Sequence, residues 1–275
     1  MSDPTIAFIG GGNMARSLIG GLIADGTPAD QIRVADPDAG QRETLVERLG
    51  VMTTESNSEA ITGADVVVLA VKPALIKTVA ADLGDQLRAQ SSLTISIAAG
   101  VREADISRWL GGDVAVVRCM PNTPALVQCG MTALYANEHV SPGQRGLTET
   151  LLQAVGAIEW IPDEAIMDSV TAVSGSGPAY FFLVMEAIEA AGAELGLDRA
   201  TARRLTLQTA LGAARMAAES DEDPATLRQR VTSPGGTTEA ATKALEAGDI
   251  HAVFQRALAQ AVERAGELGD QLGNQ

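Results

Sequence analysis

The chain has 275 residues, which suits one large or two modest domains at about 100–200 residues each. Apolar residues make up 46% of the sequence and charged residues 20%, which excludes a disordered or fibrous protein. The formal net charge of −15 disfavours binding to phosphate backbones, so nucleic acid is not expected as a partner.

The first half of the chain alternates strand-like and helix-like segments. Short runs rich in β-branched residues predict five strands, at residues 5–9, 32–35, 66–71, 94–97 and 114–117. The third run is apolar throughout, as expected for a parallel strand that is covered on both faces. Because helical patterns separate these runs, we predict right-handed βαβ units and a doubly wound parallel sheet.

The pattern changes in the second half of the chain. Two further strands are predicted at 131–135 and 157–161, with a helix at 146–155 between them. Beyond them the chain reads as Ala-rich helices separated by Gly, Pro and Ser segments. We therefore predict an α/β fold, with a Rossmann-like domain over residues 1–162 and an all-α domain over residues 163–275.

The helical domain carries a sign of self-association. The helix predicted to begin at Pro178 is apolar on nearly all sides, which one thin layer of helices does not cover. Residues 205–218 are rich in Ala, Gly and Thr, small side chains that let helices approach closely. These features predict an obligate homodimer through the helical domain. The alternative is a helical bundle that covers this helix within one chain.

A glycine-rich turn follows the first predicted strand. Residues 10–15 read Gly-Gly-Gly-Asn-Met-Ala and fit the pattern G-x-G-x-x-A. As a bare pattern this fits a structural turn equally well. Between a strand and a helix it predicts a dinucleotide site, because free N–H groups at the helix start favour a pyrophosphate.

Asp36 ends the second predicted strand, where dinucleotide-binding proteins hold the adenosine ribose, about 20 residues after the glycine turn. A carboxylate there favours NADH and repels a 2′-phosphate, unless Arg33 or Arg42 compensates. Asp36 also suits a turn before Pro37. NADPH and NADH therefore both stay open as cofactors.

Two further segments are candidates for the reacting site. Val71-Lys72-Pro73 follows the central predicted strand at its C-terminal end, where open α/β sheets bind ligands. Residues 233–238 read Ser-Pro-Gly-Gly-Thr-Thr and open a predicted helix that ends near Gly248, which suits a small anion. The alternatives are an ordinary surface lysine and a simple N-cap with a tight turn.

Metal, disulfide and membrane sites find little support in the sequence. Two cysteines and two histidines, without ligand spacing, predict neither a disulfide framework nor a metal site. No apolar run approaches the roughly 20 residues of a membrane span. No basic segment precedes an apolar one near the first residue. We therefore expect a cytoplasmic protein without a membrane partner.

Taken together, six blocks of the sequence closely resemble the pyrroline-5-carboxylate reductase family. The blocks are residues 8–14, 70–73, 96–100, 120–124, 174–180 and 231–238. The resemblance implies reduction of (S)-1-pyrroline-5-carboxylate to L-proline, the last step of proline biosynthesis, with NADPH or NADH. It also implies homodimers, which in this family often assemble into larger rings.

The resemblance also implies roles for individual residues. The pyrophosphate would be held by Gly10, Gly11, Gly12, Asn13 and Met14, and Asn57 would lie near the adenosine, for whose ribose Asp36 is a candidate by its position at the end of the second predicted strand. The ribose and nicotinamide would contact Ala70, Val71, Lys72, Pro73, Ala98, Ala99 and Gly100. The substrate would contact Ser176, Gly177, Ser233, Gly235, Gly236 and Thr237. Thr238 would be the catalytic residue beside the ring nitrogen. In many relatives a small hydroxyl residue stands in place of Asp36, so a cofactor preference is not implied.

The reaction mainly requires that the site hold and orient the substrate. An imine carbon accepts hydride more readily when its nitrogen is protonated, so the site needs to hold an iminium carboxylate. Neither histidine falls in a matching block, which argues against a histidine proton shuttle. Glu164 would stabilise the cationic nitrogen or, alternatively, be an exposed carboxylate at a helix start.

Other functions remain alternatives at this stage. β-Hydroxyacid dehydrogenases use a lysine shortly after a similar glycine turn, and no lysine follows Gly177 in the next turns. A reductase of a larger ring, such as piperideine carboxylate, is the nearer alternative. A nucleotide-sensing protein without catalysis is the other, although a sensor has no need for the Gly-Gly-Thr-Thr segment.

Overall fold

The computed structural model describes residues 4–274, so part of the N-terminal segment behind the prediction of no signal peptide lies outside that range. Contacts divide the chain into two compact units. The first extends to Ser176 and takes up the chain again from Ala261, and the second is Gly177–Gln260. This division falls after the predicted boundary at residue 162, because Met167 is buried beside Ile161 in the first unit.

The first unit is built on one eight-stranded sheet with the order β3-β2-β1-β4-β5-β6-β7-β8. Its strands are β1 Ile6–Ile9, β2 Ile32–Ala35, β3 Met52–Thr54, β4 Val66–Leu69, β5 Leu93–Ser96, β6 Val116–Met120, β7 Gly130–Ala136 and β8 Gly156–Trp160. Neighbouring strands are parallel except for β6 and β7, which are antiparallel. All the predicted strands are present, β2 with the predicted ends and the others with shifted ends, and β3 is an additional edge strand.

Helices cover both faces of this sheet. They are α1 Asn13–Ala24, α2 Ala39–Leu49, α3 Asn57–Ala60, α4 Ile76–Gln90, α5 Glu103–Trp109, α6 Pro142–Gln153 and α7 Met167–Val170. Alternate residues of each strand face opposite sides, so the sheet has two cores. Phe8 and Leu18 belong to one core, with α1 and α6, and Ile9 and Leu83 belong to the other, with α4 and α5. The predicted doubly wound sheet is confirmed.

The rest of the chain is helical. Its helices are α8 Gly177–Glu194, α9 Arg199–Ala218, α10 Pro224–Arg230, α11 Thr237–Ala247 and α12 Ile250–Gly273. Within the described residues no strand follows β8, as predicted. Helix α12 begins in the second unit and ends in the first, where Arg102 Nη2 lies 2.7 Å from Asp270 Oδ1.

Helix α8 leaves large apolar side chains uncovered in the single chain. Phe181 is 68% exposed and Phe182 63% exposed, and Leu183 and Ile188 are exposed as well. An uncovered apolar face of this kind marks an interaction surface. The alternative of a bundle that covers this helix within one chain is therefore wrong.

Other features of the described residues bear on the excluded sites. No helix in this range is both long and apolar enough to span a membrane. Residues 4–274 contain no cluster of three or more His, Cys, Asp or Glu side chains with the geometry of a metal site. Cys119 and Cys129 are free thiols, and burial raises the pKa of the Cys119 thiol above its ordinary value.

Candidate functional site

The glycine-rich turn lies at the C-terminal edge of the parallel strands, between β1 and α1. The Gly10 N–H donates to the Ala35 carbonyl at 2.8 Å, and the Ala70 N–H donates to the Ile9 carbonyl at 2.8 Å. Gly10 has a φ of +101°, and a Cβ there would lie 2.8 Å from the Ala70 oxygen. Only glycine therefore fits this position, where the turn is held between β2 and β4.

The next two glycines differ in what surrounds them. A Cβ on Gly11 would lie 2.7 Å from Leu45 Cδ1, so this residue is closely packed. A Cβ on Gly12 would meet no atom within 4 Å. Gly12 is the N-cap of α1, and no side chain caps this end, so Asn13 and Met14 begin the helix with backbone N–H groups unclaimed by a cap. An uncapped helix start beside open space fits a pyrophosphate.

Asp36 bonds to two backbone N–H groups. Its Oδ2 accepts from the Gly11 N–H at 2.8 Å, and its Oδ1 accepts from the Asp38 N–H at 2.9 Å. Arg42 Nη1 donates to the Asp36 carbonyl at 2.7 Å, whereas Arg33 Nη1 donates to the Thr62 carbonyl. Asp36 is thus a turn residue whose carboxylate is bonded to the glycine turn, and Arg42 is the cation beside it.

Asn57 lies at the same edge of the sheet. It is the first residue of α3, which Ser56 caps by accepting a hydrogen bond from the Glu59 N–H. The strand before it ends at Thr54, whose carbonyl accepts from the Asp36 N–H at 3.1 Å. The structure therefore brings the two residues predicted for the adenosine to neighbouring strand ends.

The predicted ribose and nicotinamide residues follow β4 and β5. Pro73 begins a short 3-10 turn with Lys72 as its N-cap, and the Lys72 side chain is exposed. Ala98 is buried and Ala99 is exposed, while Gly100 has a φ of +78° and approaches Leu272 near the end of α12. Because β1, β4 and β5 are adjacent and parallel, all three turns meet at one edge.

Ser176 and Gly177 are the residues at which the chain passes from the first unit to the second. Ser176 follows a π-helical turn over Thr171–Gly175, and its N–H donates to the Thr171 carbonyl at 2.8 Å. Gly177 is buried and begins α8. Turns of π-helix are frequent at functional sites. The sequence pattern gave no indication of this turn.

Glu164 forms contacts that the sequence did not predict. Its Oε1 accepts from Arg118 Nη1 at 2.6 Å and from the Glu103 N–H at 2.7 Å. The Arg118 side chain is only 5% exposed. The alternative of an exposed helix carboxylate is therefore wrong, and a carboxylate neutralised by arginine is a weak partner for a cationic nitrogen. Burial and the nearby carboxylates of Glu103, Glu164 and Asp163 raise the pKa of Tyr135.

In the second unit, the segment 233–238 leads into α11. Gly236 is the N-cap and no side chain caps it, and the helix ends next to Gly248 as predicted. Gly235 has a φ of +73°, and its N–H donates to Glu239 Oε2 at 2.8 Å. This bond and Lys243 lower the pKa of the Glu239 carboxyl. The turn therefore binds a carboxylate already, that of its own chain.

Sequence reasoning overlooked Glu239, although an acidic residue in the first turn of a helix is a recognised signal. The neighbouring hydroxyl residues lie at the helix start as expected. Thr237 and Thr238 are the first two residues of α11, and the Thr238 carbonyl accepts from Thr242 Oγ1 at 3.0 Å. Ser233 is exposed, and its carbonyl accepts from the Gly236 N–H at 3.0 Å.

Two family models match the chain. A model described as pyrroline-5-carboxylate reductase dimerisation matches residues 164–268. A model described as NADP oxidoreductase, coenzyme F420-dependent, matches residues 5–100. The first match covers the uncovered face of α8 and the segment 233–238. The second covers the glycine turn and the ends of β2, β4 and β5.

Whole-chain comparisons point to the same family. A pyrroline-5-carboxylate reductase of Pseudomonas aeruginosa is 56% identical over 99% of this chain and 100% of its own, and one of Escherichia coli is 38% identical over 97% and 98%. The structure of a Coxiella burnetii pyrroline-5-carboxylate reductase is 48% identical, with a TM-score of 0.94 over 97% of this chain and 99% of its own. The Plasmodium falciparum pyrroline carboxylate reductase, solved with NADP bound, is 29% identical, with a TM-score of 0.86 over 98% and 99%. The chain therefore belongs to the pyrroline-5-carboxylate reductase family.

Proposed function

We propose that this protein reduces (S)-1-pyrroline-5-carboxylate to L-proline with NADPH or NADH, the final step of proline biosynthesis. The observation that carries the proposal is a pair of uncapped helix N-termini, at Gly12 and Gly236, in a chain 56% identical to a pyrroline-5-carboxylate reductase. The first suits a pyrophosphate and the second suits a carboxylate. The reaction needs both anions to be held.

The first unit would hold the dinucleotide through Gly10, Gly12, Asn13 and Met14. The open space at Gly12 and the turns after β4 and β5 support this assignment. NADP is supported by the NADP oxidoreductase family model and by the relative solved with NADP bound. Arg42 donates to the Asp36 carbonyl and lies 3.7 Å from Glu55 Oε2, and it is the cation that a 2′-phosphate would meet beside Asp36. When bound, the reduced nicotinamide supplies the hydride.

The segment 233–238 would hold the substrate. The Gly235-Gly236 turn would bind the substrate carboxylate through the Gly235 N–H, where the substrate takes the place of the Glu239 side chain. The Gly236 N–H keeps its bond to the Ser233 carbonyl and holds the shape of the turn. The Thr238 hydroxyl would bond to the ring N–H of the iminium and fix the ring. The iminium carbon then accepts the hydride, and the C=N electron pair becomes the lone pair of the proline nitrogen. Binding and orientation carry the catalysis, without a strong acid.

Association and location complete the proposal. The dimerisation family model and the uncovered face of α8 support a homo-oligomer built from dimers. A larger ring of dimers, as the resemblance implies, is part of the proposal. The cytoplasmic location stays a prediction of the sequence.

The test is oxidation of NADPH and of NADH by the purified protein with pyrroline-5-carboxylate or with piperideine carboxylate. We expect turnover with the five-membered ring and formation of proline, measured by chromatography. Preference for the six-membered ring would mean that the substrate is piperideine carboxylate, and the reaction would still be reduction of a cyclic imine. Cofactor binding without turnover of either ring would contradict the proposal and favour the sensor.

A further inference from the structure

Asn122 is a buried amide that joins two parts of the first unit. It follows β6 by two residues and is 9% exposed. Its Oδ1 accepts from the Met131 N–H at 2.9 Å, and its Nδ2 donates to the Ser174 carbonyl at 3.1 Å. Only this orientation of the amide lets Oδ1 accept from the Met131 N–H while Nδ2 donates to the Ser174 carbonyl.

The segment that Asn122 holds is an irregular one. Ser174 lies in the π-helical turn Thr171–Gly175, where each hydrogen bond spans one residue more than in an α-helix. Such turns persist where surrounding contacts hold them. The same strand end supplies a second contact, because a Cβ on Gly175 would lie 2.5 Å from Met120 Cε. The end of β6 therefore contacts this turn at two successive residues, Ser174 and Gly175.

These two contacts fix the position of Ser176, the residue that follows the turn. Ser176 ends the first of the two segments that form the first unit. It directly follows the held turn, and its N–H donates to the Thr171 carbonyl at the start of that turn. We propose that Asn122 is a positioning residue, whose amide holds the Ser174 carbonyl and thereby sets the place of Ser176 relative to the end of β6. The inference rests on the proposed function and on the family resemblance, which implies that Ser176 contacts the substrate.

The substitution Asn122→Asp tests this role with a minimal change of shape. A carboxylate keeps an acceptor for the Met131 N–H but turns an oxygen, instead of an N–H, towards the Ser174 carbonyl. We expect the single-turnover rate of hydride transfer to fall between about 10- and 100-fold, because displacements of about 1 Å have effects of that size. The Kd for NADPH stays within about twofold, since Asn122 lies outside the glycine turn.

The pH profile separates positioning from general stability. A protonated aspartic acid again offers an O–H donor and a C=O acceptor, and burial raises the pKa of such a carboxyl. The rate of Asn122→Asp relative to the unsubstituted protein should therefore rise as the pH falls. If Asn122→Asp does not fold, Asn122→Ser serves instead, with the same loss of rate and no recovery at low pH.

Asn137→Asp is the matched control. Asn137 is another bridging amide beside β6, at its opposite end, where Oδ1 accepts from the Val116 N–H and Nδ2 donates to the Val114 carbonyl and to Glu103 Oε1. Asn137→Asp therefore also sets a carboxylate against that of Glu103, which adds to its loss of stability. We expect it to lose stability and keep its hydride-transfer rate. An unchanged rate in Asn122→Asp, or an equal loss in both folded variants, overturns the proposal.

Failure of the proposed function is distinguishable from failure of this inference. If the unsubstituted protein turns over no cyclic imine, the proposed function is wrong. Amide hydrogen exchange then tests only whether the Asn122 amide holds the turn before Ser176. Asn122→Asp should speed exchange at Ser176, whose N–H bonds to Thr171, and Asn137→Asp should not. Unchanged exchange at Ser176 in Asn122→Asp overturns the inference.

Discussion

The carboxylate of Asp36 accepts the Gly11 N–H at 2.8 Å, so the end of β2 is bonded to the glycine turn after β1. A carboxylate has about four acceptor positions, and the bonds from Gly11 and Asp38 use two of them. The remaining positions are available to ribose hydroxyls. The same negative charge would oppose a 2′-phosphate, which Arg42 would attract.

Replacing Asp36 by Ser should shift the cofactor preference towards NADPH. The substitution removes the repelling charge and leaves Arg42 in place, so we expect the ratio of kcat/KM for NADPH to that for NADH to rise about tenfold. Asp38→Ser, which removes an equal charge two residues away, is the control and should leave the ratio nearly unchanged. Equal shifts in the two variants would assign the effect to net charge alone.

Gly12→Ala should separate cofactor binding from folding. The added Cβ meets no protein atom within 4 Å and the φ of −66° suits alanine, so the melting temperature should stay within a few degrees. The methyl group fills the space proposed for the pyrophosphate, so the Kd for NADPH should rise at least about tenfold, measured by fluorescence titration. Gly10→Ala is the contrast and should be destabilised, because its Cβ would lie 2.8 Å from the Ala70 oxygen.

Thr238→Ala should slow turnover and spare the cofactor. Loss of the hydroxyl that orients the ring nitrogen is expected to lower kcat by about 10- to 100-fold, with the Kd for NADPH nearly unchanged. Thr242→Ala, one turn along the same helix, is the control, because its hydroxyl bonds back to the Thr238 carbonyl. Equal losses of turnover and cofactor affinity in Thr238→Ala would rule out the assigned role.

Glu239→Gln should strengthen substrate binding. Glutamine keeps an oxygen acceptor for the Gly235 N–H but removes the charge that competes with the substrate carboxylate. We expect the KM for pyrroline-5-carboxylate to fall about two- to fivefold at low salt and less at high salt. Glu246→Gln near the other end of α11 is the control. An unchanged KM in Glu239→Gln would mean that the two carboxylates do not share the turn.

Glu164→Gln should lower the pKa of Tyr135. Burial raises that pKa first and the neighbouring carboxylates add to it, so removal of one negative charge makes the phenolate easier to form. Absorbance titration can follow it, because the chain has two tyrosines and Tyr180 serves as the reference. Glu164→Ala should also cost about 3 kcal/mol of stability by leaving Arg118 buried without its partner. An unchanged Tyr135 titration would contradict the contribution of the Glu164 charge to the raised pKa of Tyr135.

Sequence periodicity predicts the elements that bury a continuous apolar run. Val66–Leu69 is apolar throughout and has β-branched residues, so the central strand was evident before the structure. Met52–Thr54 was not, because an edge strand of three residues with an exposed methionine carries no alternation to detect. The end of α11 was predicted from Gly248, a local signal that tertiary contacts do not alter.

Contacts between distant residues explain what the sequence could not predict. Glu164 reads as a helix-start carboxylate until β6 brings Arg118 to it, 46 positions away in the sequence. Asn122 belongs to the block 120–124 that carries the resemblance, and nothing in that block indicates that the fold places Ser174 against its amide. Asp36 fits both the ribose and the turn interpretation, and the structure shows that the turn bonds use only part of its carboxylate.

Because the apolar face of α8 is uncovered in the single chain, the stability of this protein depends on its own concentration. Phe181 and Phe182 leave water only when another chain is bound, so part of the free energy of folding is gained in a bimolecular step. Each tenfold dilution then removes about 1.4 kcal/mol from the stability of a dimer. The temperature at which the helical unit unfolds therefore depends on the protein's own concentration.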